Sequence, residues 1–127
     1  DGTVGIALQA EHPSRTHRAE APALALLVHH GLRAVPAPAP NTAPGWDGYA
    51  GDIACTGESF WVSAPQAGYL LRWKLDGSGG EATQLEGACA LGTGHAVWAL
   101  GTHAYQRGEK QFPGEMRLWD NHLLHWV

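Results

Sequence analysis

The sequence predicts an all-β fold: about three blades of a larger β-propeller. Three observations carry this. A strand pair repeats: Phe60–Ala64 runs through a turn into Tyr69–Leu75, and Ala96–Gly101 runs on into 116–123. Trp61 and Trp98 stand 37 residues apart, and Trp73 and Trp119 stand 46 apart with a longer intervening hairpin. A unit of roughly 40 residues made of short strands is the size of a propeller blade. The chain also carries 17 Gly and 8 Pro with only 16% charged residues, which suits short strands cut by many turns. Its six Trp favour strands over helices.

Residues 3–10 alternate weakly and read as a strand. Residues 11–20 are a polar turn, long for a hairpin. Residues 21–29 form the return strand; Ala23–Leu27 also has helical character, but the repeating context favours β. Residues 35–45 are a Pro/Ala linker whose prolines exclude a central strand, so it crosses the surface between the first and second blade units. Tyr49–Cys55 is the next inner strand, residues 56–59 a tight turn, and Phe60–Ala64 and Tyr69–Leu75 a hairpin. After the flexible Asp76–Gly80 loop comes a short outer strand, Ala82–Leu85. The third unit repeats this with Gly87–Leu91 and His95–Gly101. It has a long charged hairpin, His103–Gly114, and closes on a strand over 116–126.

The 127 residues suffice for one domain, yet closed propellers usually have about four to eight blades. The chain opens in what reads as a strand, with no initiator Met or leader. Residues 1–127 are therefore expected to be the C-terminal blades of a single propeller domain, whose first partner is the remaining N-terminal blades. The net charge of −4 argues against nucleic acid or an anionic membrane as partner. No apolar run approaches the roughly 20 residues of a membrane-spanning helix. Cys55 and Cys89 are the only cysteines. They occupy similar places in successive units, where neighbouring inner strands could bring them close enough for a disulfide; two buried thiols is the plainer reading.

Several strings together resemble an uncharacterised bacterial family. They are Tyr49-Ala50-Gly51-Asp52-Ile53-Ala54, Val62-Ser63-Ala64-Pro65-Gln66-Ala67-Gly68, Ala88-Cys89-Ala90-Leu91 and Trp119-Asp120-Asn121-His122. The family's motifs read Y-x-G-S-I/V-A, T-S-P-R-G-G, Cys-Gly-Val-Ala and W-D-N-H. Asp52 stands here where Ser is usual, and Gln66-Ala67 replaces Arg-Gly. The resemblance implies a seven-bladed propeller exported by the twin-arginine route to the periplasm. It also implies genetic neighbours of the imelysin iron-uptake type and a di-haem oxidoreductase, hence an imelysin-type or haem protein as partner. It implies no settled activity.

Among residues that could carry chemistry, Asp120 and His122 share a strand face at i and i+2, with Asn121 between them. A carboxylate beside an imidazole orients the ring for metal binding or general-base work, or simply holds a blade turn by hydrogen bonds. Imidazole suits transition metals, so the eight His raise a metal site assembled across blades from His95, His103 and His122. No His pair has metal-ligand spacing on one strand. Asp52 is a charge early in an inner strand: it either lines a central channel or caps a turn. The Trp side chains read as blade packing, with Trp61 and Trp98 between blades and Trp46 partly exposed. No nucleophile motif is present, and no catalytic residue is expected. The functional expectation is a non-enzymatic periplasmic propeller, a binding or assembly module in iron acquisition. The alternatives are a metal- or cofactor-dependent enzyme subunit with its site at the channel mouth, and a purely structural scaffold in a larger complex.

Overall fold

Short apolar runs punctuated by Gly and Pro become strands, and the strands collect into three antiparallel sheets. The computed structural model describes residues 2–29, 31–39 and 41–114. Sheet 1 contains β1 (Val4–Ala7), β2 (Leu24–Val28) and β3 (Gly31–Val35). Sheet 2 contains β4 (Ile53–Cys55), β5 (Ser59–Ala64), β6 (Tyr69–Lys74) and β7 (Glu81–Gln84). Sheet 3 contains β8 (Ala90–Gly92), β9 (Trp98–Leu100), β10 (Ala104–Arg107) and β11 (Lys110–Pro113). Every sheet is a meander in which sequence neighbours pair. A short helix, α1 (Arg15–Glu20), lies between β1 and β2.

The two-residue period of a strand decides which side chains meet. On one face of sheet 1, Leu24, Leu26 and Val35 are buried. They join Phe60, Val62, Leu71 and Trp73 from one face of sheet 2 in a single core cluster. The opposite face of sheet 2 contributes Ala54, Trp61 and Leu70 to a second cluster with Leu91 and Ala99 of sheet 3. Sheet 2 is thus buried on both sides, which is why all six residues of β5 are buried. The first strands lie nearest one another: β1 contacts β4, and β4 contacts β8. Full burial of each large apolar side chain contributes about 1.5–3 kcal/mol.

Turns lock the first two sheets together. The β6–β7 turn needs Gly77, whose φ is 79°. A Cβ there would come within 2.9 Å of Val35 Cγ2 and 3.1 Å of Leu26 Cδ1, so the turn sits directly on sheet 1. Arg33 of β3 donates a hydrogen bond to the backbone oxygen of Asp76 in the same turn.

The repeat is real but differs from the one read in the sequence. Trp61 faces Arg72 across β5 and β6, and Trp98 faces Arg107 across β9 and β10. Each guanidinium lies over its indole, at 4.9 and 5.1 Å from the ring centroid. The structural counterpart of β6 is therefore β10, not the segment around Trp119, which lies outside the described residues. The charged hairpin expected over 103–114 is formed by β10 and β11, joined at Gly108-Glu109. Arg72 pairs with Glu109 of that turn and with Glu81.

Three further elements depart from expectation. The polar turn over 11–20 contains α1, because Ser14 caps it by accepting a hydrogen bond from the His17 N–H. β3 went unread because Gly31–Val35 lacks alternation and runs straight into the prolines. Trp46 is buried, not partly exposed; its indole N–H donates to the Ala21 backbone oxygen at 3.0 Å.

Candidate functional site

The chemically richest described point is the seam between sheets 2 and 3, centred on Asp52. Its side chain caps its own strand: the Ile53 N–H donates to Oδ1 at 2.8 Å. It also reaches the next sheet, where the Leu91 N–H donates to Oδ2 at 2.9 Å. Ser63, fully buried on β5, works beside it. Its hydroxyl accepts from the Asp52 N–H at 2.8 Å and donates to the Cys89 backbone oxygen at 3.1 Å. Two side chains of sheet 2 therefore hold the main chain of β8 and its approach. Both carboxylate oxygens of Asp52 are engaged in this polar stitch.

His95 and His103 do not converge. His95 is exposed in the β8–β9 turn, and His103 is exposed in the β9–β10 turn. Successive turns of a meander lie at opposite ends of the sheet, so one ion cannot take both rings. Asp120, Asn121 and His122 lie outside the described residues. Among the described residues, no group of three or more His, Cys, Asp or Glu side chains is placed to hold a metal ion.

Folding of α1 creates a histidine pair that sequence spacing did not reveal. His12 Nε2 lies 3.4 Å from His17 Nδ1, and the rings tilt at 59°. The Ser14 N–H donates to His12 Nδ1 at 3.0 Å. A nitrogen that accepts carries no proton, so the proton of neutral His12 sits on Nε2, facing His17. That tautomer makes the pair a hydrogen-bonded cap and leaves His12 Nε2 unsuited to a metal. The available signal was Ser14 three residues before His17, a capping spacing.

The possible Cys55–Cys89 bridge is not formed. Cys55 is an exposed thiol at the end of β4 and donates to the Thr56 backbone oxygen at 3.1 Å. The Cys89 sulfur lies 3.9 Å from the Leu100 backbone oxygen, on the β9 side. Desolvation pushes the Cys55 thiol above its ordinary pKa, so it is a poor nucleophile at neutral pH.

Sequence comparison places these features in a family. Residues 1–126 match the model of a family described as protein of unknown function, DUF1513. The chain belongs to this family. No curated protein and no solved structure matches it.

The described residues of this DUF1513 chain also form a concave feature. The Pro/Ala linker runs over the surface, with most of its described residues exposed, and packs beside α1, where the two enclose a groove of about 320 Å³. Pro36, Pro38, Ala43, Trp46 and Ala19 line it, with Glu20 as its only charged residue. The wall is apolar and has no titratable pair, so it offers shape but no acid–base chemistry.

Proposed function

We propose that this DUF1513 chain forms consecutive blades of a β-propeller that is exported to the periplasm by the twin-arginine route. There it acts as a non-enzymatic binding or assembly module in iron acquisition, beside an imelysin-type or haem-carrying partner. One observation supports the ring above others. The Trp–Arg pair that sheet 2 turns toward sheet 3 recurs in sheet 3 as Trp98 and Arg107, on the face turned away from sheet 2. A repeated seam residue on an outward face is what a further blade would use. The outward face of sheet 1 agrees, since Val4, Ile6, Leu27 and Leu32 are 38–66% exposed there.

The test uses the tagged full-length protein. Fractionation of iron-starved cells should place it in the periplasm, and affinity purification should recover the imelysin-type neighbour. Electron microscopy of the purified protein should show a disc with a central axis. A cytoplasmic protein, or particles lacking radial symmetry, would overturn the corresponding part of the proposal.

A further inference from the structure

Among the described residues, sheet 1 is one strand short of its neighbours, and its open edge is backbone. Sheets 2 and 3 have four strands; sheet 1 has three, ending on β3. The hydrogen-bond phase identifies what that edge presents. The Leu8 N–H donates to the Ala23 oxygen at 3.0 Å, so Ala23, Ala25 and Leu27 turn their backbone groups toward β1. Alternation then turns Leu24, Leu26 and Val28 toward their β3 partners Val35, Arg33 and Gly31. Leu32 and Ala34 are left with N–H and C=O directed away from the sheet, and neither has another backbone partner among the described residues. Both are exposed. The prolines that follow β3 prevent the linker from pairing there.

The side chains around this edge indicate what would fit. On the outward face, Leu32 continues the rung Val4–Leu27–Leu32, so an added strand would meet apolar neighbours there. On the other face, Arg33 projects beside the β6–β7 turn. Asp76 feels both Lys74 and Arg33, giving two cations to one carboxylate. Arg33 also opposes pairing of two β3 edges, because like charges would face each other.

We propose that the β3 edge accepts an extended segment of a partner protein as a fourth strand. That segment would carry an acidic residue opposite Arg33, flanked by apolar residues beside Leu32 and Ala34. The proposal does not depend on the export route or the iron setting.

The probe is a capped synthetic peptide, threonine–valine–aspartate–valine–threonine, added to the full-length protein. Amide hydrogen exchange is read by NMR. Exchange at Leu32 and Ala34 should slow about tenfold or more at saturation, with Arg33 little changed. A lysine-centred peptide should bind about two- to fivefold more weakly, and Arg33→Glu should reverse that preference. Ala34→Pro removes only an outward N–H, so the fold should survive while the protection is lost. Any of three results would overturn the proposal. One is no change at peptide concentrations up to about 1 mM. Another is Leu32 and Ala34 amides already protected without peptide, which would mean that the protein's own strand fills the edge. The third is self-association that Ala34→Pro abolishes, which would assign the edge to a second copy.

Discussion

Replacing Ser63 by Ala tests the stitch between sheets 2 and 3. The change deletes one oxygen from a fully buried position and leaves the Cβ in place. Two hydrogen bonds disappear, from the Asp52 N–H at 2.8 Å and to the Cys89 oxygen at 3.1 Å. A buried backbone group left without a partner costs about 1–3 kcal/mol. Asp52 and Cys89 are only half-buried, so water can reach part of the gap and each loss belongs at the low end. Ser63→Ala should therefore cost about 2–3 kcal/mol. Urea denaturation reads this directly: with a slope of about 2 kcal/mol per molar urea, the midpoint should fall by roughly 1–1.5 M. Combining Ser63→Ala with Asp52→Asn should give a coupling above about 0.5 kcal/mol, because the two side chains share one network. A loss below about 0.5 kcal/mol for the single variant would refute the reasoning and leave the seam to apolar contact alone.

Gly77→Ala should destabilise by about 1–2 kcal/mol from its left-handed backbone, with more from the 2.9 Å approach to Val35; thermal unfolding would measure it. Hydrogen bonds from Ser78, through its side chain first and then its backbone, hold the Asp76 carboxyl below the usual carboxylate range, aided by Lys74 and Arg33. Its stabilising contribution is present above the unfolded-state pKa of about 3.9 and is lost as pH falls through the lower folded value. Asp76→Asn should accordingly flatten the acid limb of a stability–pH curve, and an unchanged limb would remove Asp76 from the account. At pH 7, iodoacetamide should alkylate Cys55 more slowly than glutathione and catch up as pH rises, as peptide mapping would show; an equal rate would contradict the raised thiol pKa.

Strands were legible where the apolar pattern was strong. Phe60–Ala64 and Tyr69–Leu75 were read within a residue of β5 and β6, since both are apolar runs bounded by turn residues. The charged hairpin over 103–114 is present as β10 and β11, although Ala104–Arg107 and Lys110–Pro113 carry little apolar pattern. Their stability comes from completing sheet 3 and from contacts such as the Gln111 amide donating to the Gln84 oxygen at 2.6 Å. Tertiary pairing, not local propensity, makes them strands. Asp52 stood out in the sequence as an unexpected charge, but its role did not. The partners of its carboxylate are backbone N–H groups, one of them 39 residues away, and no side-chain pattern announces a main-chain donor. The Trp repeat was half legible: Trp61 and Trp98 correspond, whereas Trp73 has its true counterpart in the β10 region because register, not residue identity, aligns the sheets.

The Asp52–Ser63 stitch also shapes how this seam can evolve. Its recipients in sheet 3 are the Leu91 N–H and the Cys89 C=O, groups that nearly every amino acid supplies. The hydrogen bonds therefore place almost no demand on which side chain occupies position 89, while the acid at 52 and the hydroxyl at 63 each hold a main-chain group of that segment. Mutational drift can rewrite the β8 approach without losing its docking position, provided no proline removes the N–H at 91.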